Sequence, residues 1–239
     1  NGYKDPLYQR YARWLGNAIQ FDFGQSIKYK TDVGEVLWPR LGNTAILGAA
    51  TMAVVIPLAL VLGVFAGMRE GSGTDRSISV LSIITTSVPE FASAPMLQAL
   101  FVFYLAILPG TSSMIGGFNP VELILPVMVL VLYDFGYVTR MTRASMAEVM
   151  TTHYIRTAVL KGLPYKTVIM RHALRNALIP LVTVVSLDLG GLFSGALITE
   201  TMFQYLGMGK LIYDSVLGND FNLALVGLLF ATITTIGGN

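Results

Sequence analysis

Cysteine is absent from all 239 residues. That excludes a disulfide framework and thiolate metal sites, and it leaves the compartment open. Charge is scarce too. Only 13% of the residues are charged, against roughly 25% in a soluble domain, which favours a membrane class. The net charge of +2 is too small to suggest a nucleic-acid partner. A phosphate-cradling G-x-x-x-x-G-K-[ST] run is missing as well. At the nearest candidate, Gly209-Lys210, Gln204 stands in place of the first glycine and Leu211 in place of the Ser/Thr. The chain therefore has no ATP site of its own. Neither H-E-x-x-H nor G-x-S-x-G occurs, so an intramembrane protease is poorly supported. The two histidines, His153 and His172, read as ordinary interfacial side chains. The first forty residues are mixed and aromatic, unlike a signal peptide.

What is present is apolar sequence in long runs. A bilayer-crossing helix needs about 20 mostly apolar residues. Length and scarcity of charge predict spans at Leu41 to Met68, Ser77 to Leu108, Asn119 to Thr139, Asn176 to Thr199, and from Phe221 onward. The first is longer than a hydrocarbon core of about 30 Å requires, so tilt or a bend at Pro57 is expected. The second is interrupted by Pro89 and Pro95. The fold class is all-α and polytopic.

Orientation follows from the Lys/Arg bias. Residues 140–176 hold Arg140, Arg143, Arg156, Lys161, Lys166, Arg171 and Arg175 against one acid, Glu148. The loop Pro109 to Phe118 has no charge, and Glu200 to Asp220 has one cation, Lys210. The basic segment is thus cytoplasmic and those two loops lie outside. Residues 1–40 form an extracytoplasmic segment. Residues 41–239 form the transmembrane domain, with a cytoplasmic loop at 140–176. An odd number of spans entered from outside implies a preceding span that brought the chain out.

The basic loop is patterned. Thr152 suits a helix N-cap, Gly162 suits the left-handed position after a helix, and Pro164 suits the first turn of a second helix. On that second helix Tyr165, Val168, Ile169 and His172 share one side. The expected unit is a helix–turn–helix within the loop. Two readings stand: a loop resting on anionic headgroups, or an amphipathic element docked in a groove of a cytoplasmic partner. The fixed Gly-Pro corner favours docking.

The stretch YVTRMTRASMAEVMTTHYIRTAVLKGLPYKTVIMRHALRNALIP (Tyr137 to Pro180) resembles the cytoplasmic loop of membrane subunits of the oligopeptide/dipeptide class of ABC importers. In ABC importer permeases generally, a loop of the form EAA, three residues, Gly and a later Ile/Leu-Pro docks on the ATPase. Here Arg156-Thr157-Ala158 stand at the EAA positions, Gly162 matches, and Ile179-Pro180 close the motif. The Glu is missing and the interval from Gly162 to Ile179 is longer, as in the peptide class. FDFGQS (Phe21 to Ser26) and ETMFQYLGMGKLIYDSVLGNDF (Glu200 to Phe221) resemble the family's outer segments.

The resemblance implies a type I importer permease fold with six spans, the first absent here, in a bacterial or archaeal plasma membrane. It implies a non-enzymatic subunit that binds no cofactor, ATP and Mg belonging to partner subunits. The implied partners are a second permease, two cytoplasmic ATPase subunits, an extracytoplasmic substrate-binding protein and lipid. For coupling it points to Arg156, Ala158, Gly162, Leu163 and Arg171. A passive channel or ion-coupled transporter, or a membrane scaffold, remains the alternative.

Four carboxylates lie in or near spans. Glu122 and Asp134 read as interfacial, near the outer headgroups and the inner face respectively. Glu90, next to Pro89, and Asp188, deep in the fourth span, are candidates for the translocation path, because a mid-membrane carboxylate is costly without a cavity or partner. Gly63-x-x-x-Gly67 and Gly191-x-x-x-Gly195 read as close-packing seams, within the chain or with a second permease.

Overall fold

A computed structural model describes residues 6–114 and 117–238, with side chains described except at 189, 191–195 and 238. The described residues are overwhelmingly helical. α1 (Leu7–Ile19) precedes a turn. Asp32 then caps α2 (Val33–Gly67) by accepting the Gly34 N–H at 2.7 Å. α2 runs unbroken through Pro39 and Pro57. At 1.5 Å per residue it is about 52 Å long, so its first turns stand outside the hydrocarbon.

The second expected span is two helices. α3 (Gly73–Ser87) and α4 (Glu90–Gln98), which continues as a π-helical stretch at Ala99–Tyr104, meet at 94°. The break follows from Pro89. A residue before proline is pushed out of the helical region, and Val88 is extended (φ −88°, ψ 116°). Pro95, by contrast, stays inside α4.

α5 (Pro120–Met150) starts at an Asn119 cap, with Pro120 in its first turn. It does not stop at Thr139 as expected but continues through the first basic residues. Nothing in Thr139 to Met150 breaks a helix: there is no Gly or Pro, and Met, Arg, Ala and Glu are good helix formers. α6 (His153–Leu160) follows.

The next helix corrects the expected loop. α7 (Tyr165–Thr167), a π-helical stretch (Val168–Ala173) and α8 (Leu174–Gly195) form one continuous helical run. The second helix of the basic loop is therefore the first part of the fourth span. α9 (Leu197–Met202), α10 (Met208–Leu217) and α11 (Phe221–Gly238) complete the chain. Among the described residues three helical segments are long and apolar enough to cross a membrane: Val33–Gly67, Pro120–Met150 and Tyr165–Asp188. The bent pair makes a fourth, and Phe221–Gly237 is a shorter apolar helix.

α2 and α5 form the spine. Gly63 and Gly67 lie against α5 so closely that a Cβ on Gly63 would stand 2.6 Å from Thr142 Cβ, and one on Gly67 2.6 Å from the Arg143 carbonyl oxygen. The first G-x-x-x-G is thus an intrachain seam. The second, Gly191 to Gly195, falls on residues whose side chains lie outside the described set. Buried clusters follow the spine from one end to the other. Val33, Leu37, Met208, Leu211 and Leu223 gather at the end where α2 starts, Val55, Ala59, Val138, Leu181 and Val184 at mid-length, and Met146, Ile155, Val168 and Ala173 at the end where α5 stops.

The two outer segments flagged in the sequence are bonded to each other. Ser26 Oγ donates to Asp220 Oδ2 at 2.5 Å, and Asn222 Nδ2 donates to the Phe23 carbonyl at 2.7 Å. Burial would push the Asp220 carboxyl up, but hydrogen bonds from Ser26 and from the backbone of Lys28 and Leu223 hold it below the usual range.

Candidate functional site

Two regions carry functional chemistry: the corner after α6 and a cavity beside the broken span.

At the corner, Thr152 occupies the N-cap position of α6, but its hydroxyl donates backward to the Val149 carbonyl at 2.7 Å and does not cap. α6 is amphipathic. Ile155 and Ala158 turn inward and join Met146, Val168, Ile169 and Ala173 in one buried cluster. Gly162 takes φ +75°, as the sequence required, and nothing lies within 4 Å of where its Cβ would be. The Pro164 carbonyl accepts the N–H groups of Thr167 and Val168, so proline precedes the new helix by one position.

Of the five predicted coupling residues, Arg156, Gly162, Leu163 and Arg171 are exposed. Ala158 is 6% exposed and faces the core. Sequence reasoning passed over Leu160, which is 88% exposed. The signal was present: Ile155 and Ala158 mark the inner face at i and i+3, which leaves Arg156 and Leu160, at i and i+4, on the outer one. Leu160 and Leu163 are both exposed, on a stretch that also exposes Arg156, Lys161 and Lys166. Two cations of the basic segment are used internally. Arg143 forks onto Asp75 at 2.8 and 2.9 Å and reaches Glu70 at 3.3 Å, while Arg140 donates to the Gly136 carbonyl at 3.2 Å.

The carboxylates divide. Glu122 sits in the first turn of α5, accepting the Met114 N–H at 3.0 Å. Glu90 accepts both the N–H and the hydroxyl of Thr199, at 3.0 and 2.5 Å, and so ties the broken span to α9. Asp188 is half-buried and lines a cavity of about 400 Å³. Asp134 lines the same cavity and is buried rather than solvent-exposed. Because α5 runs on to Met150, Asp134 lies more than four turns from the helix end. Among the described residues no group of three or more His, Asp or Glu side chains is arranged to hold a metal ion.

Residues 59–239 match the family described as binding-protein-dependent transport system inner membrane component. The chain belongs to that family. This inner membrane component is 34% identical to the oligopeptide transport system permease protein AppB of Bacillus subtilis, over 100% of this chain and 78% of that protein. It is 33% identical to the dipeptide transport system permease protein DppB of the same organism, over 97% and 74%. It is 34% identical to the oligopeptide transport system permease protein OppB of Escherichia coli K12, over 92% and 72%. Its fold is similar to that in the crystal structure of an amino acid ABC transporter with histidines, with a TM-score of 0.61 at 10% identity, over 86% of this chain and 88% of that one. The type I permease fold fits the all-helical architecture.

Proposed function

We propose that this inner membrane component is the permease subunit of an ATP-driven importer of peptides. The observation that carries the reading is the similarity to oligopeptide and dipeptide permeases along nearly the whole chain. The corner after α6 supports it, because exposed Leu160 and Leu163 beside exposed Arg156, Lys161 and Lys166 suit a groove on a cytoplasmic partner. The partners on this reading are a second permease, two ATPase subunits that bind ATP and Mg, and a binding protein docking outside, all at the plasma membrane of a bacterium or archaeon.

Force enters at Leu160, Gly162 and Leu163, with Arg156, Lys161 and Arg171 steering and fixing register. Ala158 and Ile155 seat α6 on the helical run from Tyr165. Since that run passes into α8 without a loop, displacement of the corner moves a membrane-spanning rod. Such a shift of packed helices converts ATP-driven closure into alternating access. Asp188 lines the path, and Glu90 holds the bent span against α9.

The test is reconstitution with ATPase, second permease and binding-protein subunits in proteoliposomes. ATP-dependent peptide uptake is expected. Uptake that persists without nucleotide supports a channel or ion-coupled transporter instead. In the same vesicles a thiol introduced by Asp188→Cys should react with a water-soluble reagent at a rate that changes when ATP is trapped. Inertness in every state, together with normal uptake by Asp188→Asn, removes Asp188 from the path.

A further inference from the structure

Asp134 on α5 and Asp188 on α8 belong to different helices yet wall one cavity with Thr86, Tyr133, Tyr137 and Arg140. Asp134 is only 9% exposed, and among the described residues its Oδ2 has no hydrogen-bond partner. Asp188 Oδ2 is unpartnered in the same way. Buried polar atoms are almost always bonded, so two free carboxylate oxygens on one cavity wall leave a place for a donor that the described residues do not supply. Arg140 is not that donor. Its Nε serves the Gly136 carbonyl, and the ion pairs among the described residues join Arg143 to Glu70 and Asp75, and Lys210 to Asp214.

Arg140 shares this wall, so two carboxylates face one fixed cation there, and the helix end nearby adds to the negative side. Thr86 lies in the last turn of α3, which ends at Ser87 where the span is broken. The C-terminal end of a helix carries partial negative charge, and half-helix ends of broken spans coordinate cations. Tyr133 and Tyr137 also line the cavity, and tyrosine is a residue type that attracts cations. A volume of about 400 Å³ lies in the range of small-ligand pockets, about 300–1,000 Å³, well above what a lone proton or metal ion needs.

We infer that this cavity is a cation-selective subsite of the translocation path that takes an alkylammonium group of the cargo between Asp134 and Asp188. The inference rests on the permease reading, and its test separates the two. In the assembled transporter, a thiol introduced by Thr86→Cys is modified with 2-aminoethyl methanethiosulfonate, an alkylammonium, and with 2-sulfonatoethyl methanethiosulfonate, an anion. Each rate is normalised to that of a free thiol in solution, and the parent complex gives the background. A normalised preference for the cation of about tenfold or more is expected, the scale on which a charged cleft concentrates counter-ions. Asp188→Asn should remove most of it, and Asp134→Asn likewise. If Asp134→Asn fails to fold, the half-buried Asp188 still decides the matter. Modification without charge preference, or a preference that Asp188→Asn leaves intact, overturns the cation site while keeping a water-filled path. No modification by either reagent in any nucleotide state overturns both.

Discussion

Thr44 and Glu200 meet in the buried outer end of the protein, where Thr44 Oγ1 donates to Glu200 Oε1 at 2.6 Å and accepts the Met208 N–H at 2.8 Å. Glu200 Oε2 accepts the Lys210 N–H at 2.9 Å. One carboxyl thus caps the start of α10 and fastens it to α2, 156 residues away in sequence. Tyr205, which donates to the Asn43 carbonyl at 2.6 Å, closes the same junction. Burial and the nearby Glu200 charge push its phenol up.

Glu200 makes stability fall with rising pH. Burial pushes its carboxyl up to about 7 from 4.5, against the opposing hydrogen bonds from Thr44 and the α10 backbone. Between pH 4.5 and 7 the folded protein keeps a proton that the unfolded chain has lost. The contribution therefore declines across that window and is flat above it, by about 3 kcal/mol in all. Thermal unfolding in detergent at a series of pH values checks this. Glu200→Gln should lack that component of the slope, and an unchanged slope contradicts the assignment.

Gly162 tests the corner. With open space around the Cβ position, the cost of a side chain is conformational and not steric. A branched residue at φ +75° costs about 1 kcal/mol or more, while Asn tolerates that region. Gly162→Val should lower uptake and transport-stimulated ATP hydrolysis in protein that still inserts, and Gly162→Asn should retain most of both. Equal behaviour of the two variants removes the left-handed corner from the mechanism.

The seam of α2 and α5 leaves no room for side chains. Gly63→Leu or Gly67→Leu should reduce stability by about 1–3 kcal/mol, as overpacking does, and lower the yield of folded protein from membranes. Fluorescence-detected size exclusion after heating reads this directly. Gly42→Ala, on the same helix with open space at its Cβ position, serves as the mild comparison.

Composition alone exposed the membrane class, because spans are written in length and lack of charge, and the Gly162 corner was legible because only one residue type suits its backbone. Helix ends were not. The charge that marks a loop does not stop a helix, so Thr139 looked like the end of a span that runs to Met150, and the helix beginning at Tyr165 looked detached from the span it starts. The burial of Asp134 against a cavity was not legible either, because it depends on how α5 packs beside α8. Arg143 counted in the sequence as a free cytoplasmic cation, whereas the fold pairs it with Asp75, 68 residues earlier. Such a partnership depends on how α3 packs on α5 and leaves no local trace.

That partnership is itself testable. Asp75 is 4% exposed, and its two carboxylate oxygens face the Arg143 guanidinium. Removing one member of a buried ion pair strands the other, at about 3–5 kcal/mol. Arg143→Met should be strongly destabilising, and Asp75→Asn combined with Arg143→Met should recover part of the loss. A double-mutant cycle from thermal unfolding supplies the coupling, and additive effects contradict a direct pair.

Leu160 and Ala158 sit two positions apart on α6 and face opposite ways, so they separate docking from folding. Leu160 is almost fully exposed, and surface substitutions change stability by only about 0.5 kcal/mol. Its large apolar area is available to a partner, where a central anchor is worth about 2 kcal/mol or more. Leu160→Asp should therefore leave the melting temperature near that of the parent while weakening ATPase co-purification at least about 30-fold. Ala158→Asp places a charge in the cluster with Met146 and Ile169 and should lower the melting temperature before any partner is added. Both are measured on the same detergent-solubilised preparation, by thermal unfolding and by titration with purified ATPase subunit. If Leu160→Asp binds ATPase with parental affinity, the docking face lies elsewhere on the basic segment. If it unfolds the protein, Leu160 is covered by the protein itself.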